Sequence, residues 1–237
     1  MADDHKYPFC VTVRIDECIG PIDRGERYED PLMEALQGRG LGEVTGGGTQ
    51  LDENNQIVCA DIEMYLLNLD EALSFVRETL LKLGVPYGSQ ITFERDGEIV
   101  SEPIGDAECL GIYLDGVGLP DEVYAQLDFD EFFASLANDL KIVGELRGIQ
   151  QSDEETGLFV FGPSADQIYA TLQSMPVKAP ILQNARIAFK RKDAEKLPYA
   201  GGKHGKLLER GSSILVGNFS EFSPMITSRF LLESTES

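Results

Sequence analysis

The sequence predicts an α+β protein built from two tandem ferredoxin-like βαββαβ units, a pseudo-dimer within one chain, followed by a C-terminal extension. Three observations lead there. First, landmarks recur in the same order about 100 residues apart: VRID (Val13 to Asp16) matches IYLD (Ile112 to Asp115) at an offset of 99, GEVTG (Gly42 to Gly46) matches GELRG (Gly144 to Gly148) at 102, and ITFER (Ile91 to Arg95) matches IAFKR (Ile187 to Arg191) at 96. Second, apolar residues alternate with polar ones in the segments that carry these landmarks, the period of half-buried strands. Third, between those segments the apolar period switches to that of helices.

In the first repeat, Phe9, Val11, Val13 and Ile15 alternate with Cys10, Thr12 and Arg14, which is a strand with one buried face. Asp30-Pro31 then reads as the N-cap and first position of a short helix through Leu36. Strands near Glu43 to Thr49 and Gln56 to Leu66 flank the turn residues DENN. Leu69, Leu73, Val76, Leu80 and Leu83 form the apolar stripe of a second helix, opened by Asn68 with Glu71 and stopped by Gly84 and Pro86. Ser89 to Glu94 is the last strand, and the polar segment Asp96 to Asp106 reads as a linker.

The second repeat follows the same order. Glu108 to Leu114 is a strand, and a helix over Phe129 to Leu140 is expected to turn Phe129, Phe132, Phe133, Leu136 and Leu140 inward. Strands at Val143 to Gln150 and Gly157 to Phe161, a helix opened by Ser164 with Gln167 and ended by Met175-Pro176, and a strand at Ala185 to Arg191 complete it. The expected divisions are residues 1–98, 99–192 and a tail 193–237 without counterpart in the first repeat, in which SSILVGNF reads as an added edge strand.

Charge narrows the partners. Among 237 residues, 41 are acidic and 20 basic, a formal net charge of -21, which repels nucleic acid and anionic membrane and suits a basic protein. The eight basic and three acidic residues between Arg186 and Arg210 make that segment +5 and the rest -26, so the segment is expected to lie across the protein's own acidic surface. RRM-type aromatic motifs are not apparent on the strands. MADDHKYPFC has no signal-peptide pattern and no apolar run approaches the ~20 residues of a membrane span, so a cytoplasmic location is expected. Cys10, Cys18, Cys59 and Cys109 form no C-x-x-C pair and read as reduced thiols.

The most conspicuous motif is LGEVTGGGTQL, Leu41 to Leu51. A phosphate-binding loop would need a lysine after Gly46, Gly47 and Gly48 and a helix beyond, whereas a turn and a strand follow. The glycines are read as a bulged or closely approached strand, with pairing of its edge by a partner strand as the functional alternative.

Alternation places Cys10, Thr12, Arg14 and Asp16 from the first strand and Cys59, Asp61, Glu63 and Tyr65 from the third on one face, with Val58, Ala60, Ile62 and Met64 opposite. Asp61 and Glu63 could serve as an acid/base pair with Arg14 holding an anionic substrate; the plainer reading is a solvated face with an Arg14 ion pair. The matching face of the second repeat presents Cys109, Gly111 and Tyr113 with either Phe159 and Phe161 or Leu158 and Val160, and is expected to pack against the other repeat, the tail or another subunit. The only histidines, His5 and His204, lie far apart, and no metal, cofactor or activated nucleophile is implied.

These features predict a non-catalytic, acidic, intracellular binding protein whose partner is a basic protein such as a toxin or nuclease; self-association is compatible with them. The first alternative is a regulatory module with a small molecule between the repeats near Arg14, Asp16 and the equivalent Asp115. The second is a hydrolase-like enzyme using Asp61 and Glu63.

Overall fold

A computed structural model describes residues 6–53, 55–175 and 180–192 in full and residues 214–218 as backbone. The chain divides into two units, Met1–Ala107 and Glu108–Ser237. The first contains β1 (Phe9–Ile15), α1 (Pro21–Arg24), a π-helical turn (Gly25–Glu29), α2 (Asp30–Arg39), β2 (Gly42–Leu51), β3 (Ile57–Leu66), α3 (Leu69–Lys82), β4 (Ser89–Arg95) and β5 (Glu98–Ile104). The second contains β6 (Glu108–Asp115), α4 (Asp121–Ala125), α5 (Phe129–Leu140), β7 (Glu145–Gln151), β8 (Glu155–Gly162), α6 (Ala165–Ser174), a 3-10 turn (Pro180–Leu182), β9 (Arg186–Lys190) and β10 (Ile214–Asn218).

The protein is α+β, with two antiparallel sheets ordered β2-β3-β1-β4-β5 and β10-β9-β6-β8-β7. Alternation sets the register of the first. Val11, Val13 and Ile15 lie opposite Met64, Ile62 and Ala60, and all six are fully buried. A slip of one residue would turn that apolar set into water. Leu32 and Leu36 of α2 and Leu69, Leu73, Val76 and Leu80 of α3 join the same core, so both helices cover one face and leave the other open. The second sheet repeats the scheme. Ile112 is opposite Leu158 and Ile187, as Val13 is opposite Ile62 and Ile91. The register of β2 shifts between Val44 and Gly46, and that of β7 between Leu146 and Gly148. Asn68 and Ser164 cap α3 and α6, accepting from the N–H of Glu71 and Gln167.

Several expectations are corrected. The first helix starts at Pro21 rather than Asp30. Gly20 is the extended N-cap residue and Pro21 supplies the preset φ, so the proline-at-the-start signal acts ten residues earlier in the chain than Pro31. Asp30 is helical, and its N–H reaches the Gly25 carbonyl across the wide π turn, which accommodates the ring of Pro31 and its missing donor. The segment Asp96 to Asp106 is not a linker, because it contains β5. Asp96 (φ 54) and Gly97 (φ 81) form a two-residue hairpin turn whose twist matches the flanking strands. The tail also has a positional counterpart, since β10 pairs with β9 on the side where β5 pairs with β4. Val58 is 45% exposed rather than inward, at the end of β3 where β2 changes register between Gln50 and Leu51. Phe129, expected inward, is 39% exposed. Only Leu136 and Leu140 of α5 are fully in the core, with Phe132 and Phe133 packed against its rim.

Glu108 is a buried carboxylate with a structural task. One oxygen accepts from the N–H of Ala165, the first residue of α6, at 2.9 Å, and the other from the N–H of Lys192 at 2.9 Å. It ties the start of β6 to a helix N-terminus and to the exit of β9, where a negative charge is favoured.

Candidate functional site

The glycine run lies on β2, at the edge of the first sheet, with Gly46 opposite Glu63, Gly47 opposite Ile62 and Gly48 opposite Asp61. What it accommodates is an arginine. Arg24, the last residue of α1, brings its guanidinium over the strand, and its side chain is only 7% exposed. Its Nε donates to the Glu29 carboxylate, and one terminal nitrogen donates to the Gly48 carbonyl at 2.8 Å and to Thr49 Oγ1 at 2.9 Å. A Cβ on Gly47 would sit 2.7 Å from Glu29 Oε1 and 3.0 Å from Arg24 Nε, and would run into the Asp61 carbonyl. Gly48 has open space at the same position. Nearby, the hydroxyl of buried Tyr28 donates to Glu17 Oε2 at 2.6 Å. None of Glu17, Arg24, Tyr28 and Glu29 was singled out by sequence pattern. The one available signal was the Gly20-Pro21 helix start, which places Arg24 on the first turn facing the glycines.

On the open face of the first sheet, Arg14 stands directly opposite Asp61. Arg14 Nε donates to Asp61 Oδ1 at 3.0 Å and a terminal nitrogen donates to Oδ2 at 3.4 Å. The carboxylate holds the Arg14 pKa above its ordinary value, and the pair is half open to water (53% and 28% exposed). Glu63 lies opposite Thr12 and is exposed. Cys59 is buried with its Sγ 3.3 Å from Gln50 Oε1, and burial pushes its thiol up despite the neighbouring Arg14, which suppresses the thiolate. Arg14, Asp61, Glu63 and Gly46 to Gly48 thus share three adjacent strands. Asp16 follows the end of β1, where its N–H donates to Ser89 Oγ at 3.0 Å.

Asp115, in the second unit, is committed to its own loop. Its Oδ1 accepts from the N–H groups of Val117 (3.0 Å) and Gly118 (2.7 Å), and its Oδ2 accepts from Asn184 (3.0 Å). Those backbone bonds depress its pKa below 3.8. A depressed folded pKa stabilises the fold above the unfolded value, and the gain drains away as pH falls through the lower folded value. Asp115→Asn is therefore expected to lower the urea midpoint at neutral pH, and its deficit relative to the natural protein should shrink below pH 3.8. A deficit that stays constant into acid would refute the charge dependence.

On the second sheet Leu158 and Val160 are in the core, so Phe159 and Phe161 share the open face with Cys109, Gly111 and Tyr113. Phe161 is 4% exposed and Cys109 8%. Tyr113 meets Phe159 edge-on at 5.9 Å. Its ring is stacked by Arg186 at 3.9 Å, and Glu155 holds that guanidinium at 2.8 Å. Among the described residues, no group of three or more His, Cys, Asp or Glu side chains could hold a metal ion, and no helix is long and apolar enough to cross a membrane. His5 and His204 lie outside the described residues, as does most of the basic segment 186–210.

No protein-family model and no curated protein matches the chain. Among solved structures, it is similar to TiaS in complex with tRNA, AMPCPP and agmatine (13% identity, 70% of this chain and 56% of that one, TM-score 0.29). It is also similar to the regulatory subunit of aspartate kinase from Thermus flavus (14%, 70% and 90%, TM-score 0.23) and to the first two RRM domains of yeast poly(U) binding protein (15%, 70% and 89%, TM-score 0.22). The chain spans little more than half the length of the TiaS chain.

Proposed function

We propose that this protein is an acidic, non-catalytic intracellular binding module, built from two copies of a ferredoxin-like unit with a C-terminal extension, and that its partner is a basic protein of the toxin or nuclease kind. The duplication is supported by register: the offsets of 99, 102 and 96 relate residues that occupy the same ladder positions, and the register shifts of β2 and β7 fall at matching places.

The observation that carries the functional reading is the edge of β2. Among the described residues β2 pairs only with β3; the Gly48 carbonyl is taken by Arg24, and the rest of the outer side is left for a partner strand. Glu43, Asp52, Glu53 and Glu63 lie along or beside it, so an added strand bearing lysine or arginine meets complementary charge. The use of polar side chains for internal tasks points the same way: Arg14 and Asp61 hold each other, Arg24 holds Glu29, and Asp115 holds its loop. The small-molecule reading has less support because the Asp115 carboxylate is committed, and the hydrolase reading because Asp61 is already bonded to Arg14.

The test is capture of the partner from native cells at low salt, elution in salt steps, and mass spectrometry of the eluate. The expected partner is basic, and its affinity should fall at least about tenfold between roughly 50 and 500 mM salt as screening shortens the reach of the charges. A complex indifferent to salt would refute the reading.

A further inference from the structure

The second unit carries an acidic surface with an incomplete apolar cover. From Asp96 to Leu140 the chain has twelve acidic residues and no lysine, arginine or histidine. Six of them, Asp121, Glu122, Asp128, Asp130, Glu131 and Asp139, are exposed on or beside α4 and α5, and among the described residues none of the six forms an ion pair. Elsewhere in this unit carboxylates do meet arginines: Glu155 holds Arg186, Asp166 holds Arg191 and Glu145 holds Arg147. The charge on α4 and α5 is thus uncompensated locally, while carboxylates on β7, β8 and α6 are paired.

The packing beneath is also unequal between units. The first unit fully buries Tyr28, Leu32 and Leu36 in its first helical stretch. In the second, α4 buries no residue fully, its Val123 and Tyr124 only partly covered against the core, and α5 leaves the ring of Phe129 at its N-terminus 39% exposed, supported by Phe133 at 5.7 Å. Between the two helices lies an open depression of about 490 Å³, lined by Leu127 and Phe129 and by Asp128 and Asp130 among others. An aromatic face, an aliphatic wall and two carboxylates in one depression match an arginine better than any other side chain. The guanidinium stacks on a ring while its fork of N–H groups addresses carboxylates, and its stem needs apolar cover.

We infer that the α4–α5 depression is where an arginine of the basic partner docks, on Phe129 and between Asp128 and Asp130. This rests on the reading of the chain as a binder of a basic protein and assigns a contact surface additional to the edge of β2. The partner is a protein segment with arginine next to apolar residues, so that Leu127 and the Phe129–Phe133 pair are covered as the charge is neutralised.

The test uses the full chain and three synthetic probes at low ionic strength: an Arg/Leu peptide, the same peptide with lysine for arginine, and the same with citrulline, which keeps the shape and removes the charge. Calorimetry is expected to rank them arginine, lysine, citrulline, with amide shifts on titration concentrated in residues 121–140. Asp128→Asn combined with Asp130→Asn and Glu131→Gln keeps the N-cap acceptor that bonds the Glu131 N–H, and should weaken the Arg/Leu peptide about tenfold. An equal neutralisation in the first unit, Glu34→Gln with Glu94→Gln and Glu98→Gln, should weaken it less than about threefold. Phe129→Ser should cost about fivefold and abolish the preference of arginine over lysine. Equal losses in the two triple variants would overturn the docking surface and leave the basic-partner reading standing. A citrulline peptide that binds as well as the arginine peptide would overturn both.

Discussion

Gly47→Ala is expected to destabilise the first unit by about 3 kcal/mol, whereas Gly48→Ala should change it by less than about 0.5 kcal/mol. The two residues are neighbours on one strand, so propensity and unfolded-state entropy are nearly the same for both. What differs is the space above them. A methyl on Gly47 meets the Asp61 carbonyl, the Glu29 carboxylate and the Arg24 guanidinium, none of which can yield without giving up a bond; a methyl on Gly48 meets nothing within 4 Å. Urea unfolding of each variant reads the difference directly. Equal effects would show that the guanidinium does not lie across Gly47.

Arg24→Met is expected to cost about 3 to 4 kcal/mol, because it leaves the largely covered Glu29 carboxylate and the Gly48 carbonyl without their donor. Glu29→Gln added to Arg24→Met should then cost less than the sum of the single changes, the mark of two groups that matter chiefly to each other. A strictly additive pair in urea unfolding would contradict the geometry. Methionine preserves the apolar stem, so the loss reports the guanidinium rather than packing volume.

Most of the secondary structure was legible because it depends on local patterns. Val11, Val13 and Ile15 alternate without interruption, and Asn68 and Ser164 each precede a helix with a partner three residues on. The errors arise where two local signals competed or where the cause was tertiary. Pro21 and Pro31 both satisfy the rule for a first helical position, and only the π turn reveals that one helical stretch contains both. Asp96-Gly97 is a strong hairpin signal, but the glutamates of β5 gave the segment the look of a linker. Of the candidate site, an ion pair from Arg14 to a carboxylate on the same face followed from strand parity, whereas the choice of Asp61 over Glu63 is set by the register. The bulged, closely approached strand at the glycines was legible too, but not what approaches it, since that is Arg24, brought in from a helix distant in sequence. The exposure of Phe129 was equally hidden: a helical stripe says which residues share a side, not whether the neighbouring elements reach far enough to cover it.

The Asp96-Gly97 hairpin also sets a limit on assembly. By adding β5, it gives the first sheet a border that carries Glu98, Glu102 and Pro103, the last of which has no N–H to offer. The opposite border, β2, has neither proline nor lysine among its ten residues. Strand addition to this sheet is therefore favoured on the β2 side, and a guest there is not passed on through β5. Counted over the borders of the first sheet alone, the valence for an added strand is one.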